Sequence, residues 1–242
     1  MVLELVSGYY AIMGIMKTIS KVLLLLFGGI IVGYLLLVMV FCLPLGRVKN
    51  NVVRSASSFG DGYHILVDGF ITTKTDDYTD ALMLLTAENG ADRNPFTAPI
   101  YAYHAAQDKK EPYDVINDLG NPLNKQQAYS RYWHGYLLLL KPLLLLFSYS
   151  QIQIIISVAV VMLIAGVFFL LQKRKMDKYI IPYVLMVAVI FPAVVSWSMQ
   201  YFAVFAICNI AIMAELIFHE KIKQSKNYIL FFLIIGMGTC CY

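Results

Sequence analysis

From Ile152 to Leu171 the sequence carries no charged residue. A helix crosses the hydrocarbon core of a bilayer in about twenty mostly apolar residues, so a run of this kind has few other places to go. Four further runs share its character. Val22–Leu43 ends just before Pro44 and Gly46, and Ile180–Met199 contains Pro182 and Pro192. Phe202–Phe218 has Asn209 and Glu215 as its clearly polar side chains, and Tyr228–Tyr242 closes the chain. That last run, about fifteen residues, is short for a crossing. It stops on Gly-Thr-Cys-Cys-Tyr without a polar cap, which reads as a truncated product or a fragment of a longer multispan protein.

Composition agrees. Hydrophobic residues make up 60% of the 242 and charged residues 14%, against roughly 45–50% and a quarter in soluble domains. The excess sits in blocks, which points to burial in lipid. The expected fold class is an all-α integral membrane protein with about five hydrophobic spans, four of them full crossings and the last truncated. The net charge of +4 comes from short basic loops; it bears on membrane orientation and excludes a nucleic-acid reading. Cys42, Cys208, Cys240 and Cys241 all lie in or beside apolar runs, so the polar loop holds neither a disulfide framework nor zinc-type spacing.

The short loops set the topology. Gln172–Lys178 holds Lys173, Arg174, Lys175 and Lys178, and His219–Asn227 holds Lys221, Lys223 and Lys226. Both belong on the cytoplasmic side. Counting back, residues 44–150 are external and residues 1–21 cytoplasmic, beside Lys17 and Lys21. The boundaries expected are 22–43, 152–171, 180–199, 202–218 and 228–242 for the spans, with 172–178 and 219–227 as cytoplasmic linkers. The first span is too long for a signal-peptide core and lacks a clear cleavage site, so a signal anchor fits better.

The external loop is where chemistry could reside. Tyr63–Ile71 reads as a short strand or an extended segment. Thr75–Gly90 reads as a helix with Thr75 or Asp76 as N-cap and Asn89-Gly90 as its end. That helix gathers Asp76, Asp77 and Asp80 at its N-terminus. Capping and the helix dipole favour acids there; a site for a divalent cation, Mg or Mn, or a general base is the functional alternative. Asn121-Pro122 starts a second helix leading to Tyr129-Ser-Arg131-Tyr132-Trp133-His134-Gly135-Tyr136. The apolar stretch Leu137–Phe147, broken by Lys141 and Pro142, is too short to cross and reads as interfacial or re-entrant. Tyr132, Trp133 and Tyr136 then anchor it at headgroup depth, and Arg131 with His134 suits a lipid phosphate.

One span, a long external loop with acids, and an interfacial helix before the second span resemble the GT-C superfamily of polytopic glycosyltransferases. Asp76-Asp77 resembles the modified acidic motif of their first external loop. Arg-Tyr-Trp-His-Gly within Tyr129–Tyr136 resembles the end of that loop in a bacterial branch of membrane proteins. The resemblance implies a plasma-membrane enzyme that takes a sugar from a polyprenyl-phosphate donor. Asp76 or Asp77 would be the base or assist metal binding, and Arg131 and His134 would hold the phosphate. The alternative from another class is a non-enzymatic multispan protein, a transporter fragment or an envelope-assembly component, for which the candidates within a span are Asn209 and Glu215, the latter near the cytoplasmic end of its span.

Overall fold

The computed structural model describes residues 2–59, 65–89, 94–101, 104–105, 126–128, 133–224 and 228–240. The chain divides into two units, residues 1–36 and residues 37–242.

The first unit is the greater part of helix α1, Val2–Phe41. No proline precedes Pro44, so nothing in the sequence interrupts it. At 1.5 Å per residue its 40 residues reach about 60 Å, roughly twice the hydrocarbon core of a bilayer. The segment Met13–Phe41 is long and apolar enough to cross a membrane and contains most of the expected span 22–43. Leu24, Phe27 and Ile30 are exposed, as lipid-facing side chains are.

The second unit begins with α2, Leu45–Ser55. Its Val48, Asn51, Val52 and Ser55 are buried on one stripe, while Arg47, Asn50 and Arg54 face outward. The acidic helix is α3, Asp77–Asn89, and α4 is the short turn Ala98–Tyr101. Helix α5 spans Leu137–Leu144 and α6 Tyr149–Lys173. Helices α7, Ile180–Ile190, and α8, Pro192–Trp197, precede α9, Met199–Gln224, and α10, Tyr228–Cys240. Three helices are long and apolar enough to cross a membrane: Met13–Phe41, Tyr149–Lys173 and Met199–Lys223.

Helices α6 and α9 run parallel. Met199 N–H donates to the Tyr149 hydroxyl at their N-terminal ends (3.4 Å). Midway, Gly166 lies so close to α9 that an added Cβ would stand 3.1 Å from the Met213 methyl. At their C-terminal ends Arg174 donates to the Ile217 carbonyl (2.7 Å). The chain between them, α7 and α8, must therefore return the full length of α6. Both basic linkers consequently lie at one end of the unit. Helices α2, α3 and α5 pack at the other end, sharing a core of Val52, Leu84, Leu137, Leu140, Ile152 and Met199. Two hydroxyl and amide contacts fasten that end: Asn51 donates to the Leu144 carbonyl (2.9 Å), and Tyr149 N–H donates to Ser55 Oγ (2.8 Å).

Two expectations change. The run 180–199 is not one helix: Phe191 takes a left-handed conformation (φ 56°) and Ser198 an extended one (φ −123°). Pro192, the first residue of α8, has no N–H with which to continue α7. A helix from Asn121 toward Tyr136 does not form as read, because Gln126–Gln127 is a strand, β2, antiparallel to β1, His104–Ala105; Asn121 itself lies outside the described residues. Leu137–Leu144 is a short helix, but half of it (Leu137, Leu140, Lys141 and Leu144) is buried against protein. Tyr63–Ile71 is described only from Ile65, which bridges to Lys74 ahead of a 3-10 turn at Ile71–Thr73.

Candidate functional site

The acidic helix begins as its sequence dictates. Asp76 Oδ1 accepts the Thr79 N–H (2.9 Å) and Oδ2 accepts the Thr79 hydroxyl (2.7 Å). This is an N-cap, the role for which short acidic side chains are selected. Asp77 and Asp80 follow inside the first turn and are buried.

Asp76 also stands at one end of a groove of about 860 Å³. Gln200, Tyr201, Val204, Phe205, Cys208, Asn209 and Ile212 of α9 line it. These recur every third or fourth residue, so they form one continuous face. From Gln200 to Ile212 the face is about 18 Å long. Met186 and Ile190 of α7 and Val194 and Val195 of α8 make the opposite wall. The mouth is polar, with Thr72, Lys74, Thr75 and Asp76 from the loop meeting Gln200 and Tyr201; below it the lining is apolar down to Asn209. There the Tyr183 hydroxyl donates to Asn209 Oδ1 (2.8 Å) and Asn209 Nδ2 donates to the Phe205 carbonyl (2.8 Å), which satisfies the amide at a depth where water is scarce.

Asp80 sits behind the mouth. Its Oδ2 accepts the Ser198 hydroxyl at 2.9 Å, and its Oδ1 is buried without a hydrogen-bond partner among the described residues. Burial pushes its carboxyl up to about 7; hydrogen bonds from Tyr149 and Ser198 oppose that, and the neighbouring charges of Asp77 and Asp76 add to it. A carboxyl in this range can hold or release a proton near neutrality, yet Asp80 is not on the groove surface.

The other candidates fall elsewhere. Arg131 and Tyr132 lie outside the described residues. His134 is buried, its Nδ1 3.0 Å from the Tyr136 hydroxyl, and Tyr136 is buried as well. Trp133 is half-buried against the same core. None of the three lines the groove. Glu215 Oε1 pairs with His219 Nδ1 (2.9 Å) one turn on, near the basic-linker end. Among the described residues no three His, Cys, Asp or Glu side chains group so as to hold a metal ion. Cys42, Cys208 and Cys240 are free thiols.

Sequence reasoning passed over Lys74, Gln200 and Tyr201 at the mouth, and Ser198 and Tyr149 behind it. The signal for the groove was present in the three-to-four-residue recurrence from Gln200 to Ile212. Lys74 and Ser198 carry no local signal; only the packing of the loop on α9 brings them in. Comparison with protein-family models, with curated proteins and with solved structures found no match to this chain.

Proposed function

We propose that this chain is the N-terminal part of a membrane glycosyltransferase of the GT-C kind, which moves a sugar from a polyprenyl-phosphate donor to an acceptor on the outer face of a bacterial plasma membrane. The observation that supports this reading is the groove: an apolar face along a membrane-type helix, opening at a mouth that carries Lys74 and Asp76. An isoprenoid chain suits the apolar depth, and a phosphate with its sugar suits the polar mouth. In this reading the chain crosses four times, with α7 and α8 together making the third crossing and α10 beginning a fifth. Residues 44–150 are external and the N-terminus cytoplasmic, because the basic linkers at the far end are drawn to the cytoplasmic side.

Asp76 or Asp77, with or without a divalent cation, takes the proton of the acceptor hydroxyl. The acceptor oxygen bonds to the anomeric carbon as the bond from that carbon to the phosphate oxygen breaks. The electron pair leaves with the polyprenyl phosphate, whose charge Lys74 and Arg131 are the cations to stabilise; His134, buried against Tyr136 away from the groove, takes no part. In-line attack inverts the anomeric centre.

The test is transfer of a radiolabelled sugar from a polyprenyl-phosphate donor by the full-length protein in membranes. Asp76→Asn, Asp77→Asn and Arg131→Ala should each lower transfer at least a hundredfold at unchanged expression. Full activity in all three overturns the reading. A second reading has its own support, since both Asp76 oxygens are engaged in the cap. A non-enzymatic lipid-binding component of envelope assembly would need the cap and the groove but no base. Retained function in Asp76→Asn together with loss in a groove variant such as Val204→Trp would favour it.

A further inference from the structure

Residues 65–74 form a small closed loop beside the groove mouth. Ile65 bridges to Lys74 at its base, and the Leu66 N–H donates to the Thr73 carbonyl (3.0 Å). The chain reverses at Asp68 and Gly69, where the Phe70 N–H donates to the Val67 carbonyl (3.0 Å). Gly69 takes a φ of 82°, which the third position of such a turn requires. Thr73, buried at 2% exposure, ties the loop together. Its hydroxyl donates to the Phe70 carbonyl (2.7 Å) and accepts the Val67 N–H (3.0 Å). The Thr73 and Lys74 N–H groups donate to the Phe70 and Ile71 carbonyls (2.9 and 3.2 Å).

The side chains on this loop are the reverse of what water favours. Ile71 is 76% exposed and Phe70 62%, and Ile65 and Val67 are exposed as well. Large apolar side chains held in the open by a stapled backbone are the kind of patch that soluble surfaces avoid. Two further observations say what covers them. The first is level. Ile71 and Thr72 line the groove together with Tyr201, near the start of α9. Trp197 and Tyr201, on either side of that start, are exposed, and Met199–Lys223 is long and apolar enough to cross a membrane. Trp and Tyr gather where crossing helices meet the headgroups, so the loop stands at headgroup level. The second is the backbone. Polar groups that enter the apolar side of a bilayer must be paired within the chain. This loop pairs the N–H groups of Leu66, Val67, Phe70, Thr73 and Lys74 within itself. Asp68, exposed at the turn, keeps the insertion shallow, because its carboxylate has to stay among the headgroups.

We propose that residues 65–74 are a preformed apolar finger immersed in the lipid leaflet at the groove mouth, with Phe70 and Ile71 reaching about 5–10 Å into the boundary between headgroups and acyl chains. The partner of this surface is the bilayer itself. A lipid moving from the leaflet into the groove then passes along apolar side chains without crossing water. This inference rests on the membrane placement of α6 and α9 and not on the sugar chemistry.

The experiment reads depth. The whole chain, with its four native cysteines replaced by alanine, carries one environment-sensitive fluorophore on Phe70→Cys or Ile71→Cys in phosphatidylcholine nanodiscs. The lipids hold a nitroxide either near the glycerol end of the acyl chain or near its methyl end. Fluorophores at 70 and 71 should emit to the blue of one on Lys175→Cys, in a basic linker, and be quenched about twofold more by the shallow nitroxide than by the deep one. Val161→Cys, exposed midway along α6, should show the reverse order, and Lys175→Cys should be quenched least. Thr73→Val should lower the shallow quenching at 70 about twofold, since the loop loses its hydroxyl bonds, and Thr73→Ser should restore it. Quenching at 70 and 71 no greater than at Lys175→Cys overturns the proposal, whether the emission is water-like or shifted to the blue by a covering protein. If quenching is lost at Val161→Cys too, the membrane placement itself falls. An unchanged depth in Thr73→Val overturns the preformed loop.

Discussion

Lys141 is the residue least at ease in this protein. It is fully buried, its Nζ has no hydrogen-bond partner among the described residues, and it lies 4.6 Å from the Phe41 ring. Burial lowers its ammonium from 10.5 to about 8, with Cys42 acting weakly the other way. A cation–π contact offsets part of the desolvation, but a buried charge without a carboxylate remains costly. Lys141→Met should therefore raise stability by about 1–3 kcal/mol, read as a higher thermal midpoint in detergent. The pH dependence has a definite sign. The unfolded chain holds the Lys141 proton up to 10.5 and the folded chain only to about 8. Stability from this group thus rises with pH between those values, its penalty being complete below about 8. Lys141→Met should flatten that rise; an unchanged profile would mean that Lys141 reaches water. Lys141 and Pro142 marked their stretch in the sequence as unfit to cross. That the lysine would be enclosed could not be read there, since enclosure depends on α2 and on the end of α1.

Among the elements, α6 and α9 carry the membrane part of the second unit, and their contact is close because Gly166 has no side chain. Small residues let helix backbones approach in lipid, where hydrophobic exclusion adds little. Gly166→Ala should be nearly neutral, since the atom it meets is the terminal methyl of Met213, at 3.1 Å, on a flexible side chain. Gly166→Ile should cost about 1–3 kcal/mol, and thermal unfolding of the two variants side by side checks the contrast. The long runs were legible because helix length and apolarity suffice to define them. The acidic helix was legible too, since Asp76 and the first-turn acids signal a start, and it forms from Asp77 to Asn89. The break in the third run was only half legible. Pro182 and Pro192 are alike in sequence, yet Pro182 lies in the first turn of α7, where a missing N–H is harmless, while Pro192 begins a new helix.

For the whole molecule, the parallel course of α6 and α9 ties the two basic linkers to one side. Single cysteines introduced at Lys175 and Lys223 in a cysteine-free protein should react with a membrane-impermeant maleimide from the same face of oriented vesicles, and one at Ser57 from the opposite face. Labelling of Lys175→Cys and Lys223→Cys from different faces would break the parallel arrangement.

The sequence by itself determined three segments long and apolar enough to cross a bilayer, where the basic linkers lie in the chain, and where the acidic helix begins. Each depends on residues near in the chain, through apolar length, charge and capping. Only the tertiary structure decided that Asp76 stands at a groove mouth, that Asp80 holds Ser198, and that Lys141 is sealed from water. Those pairings join residues far apart in sequence, and no local propensity encodes which side chain a distant helix will bring alongside.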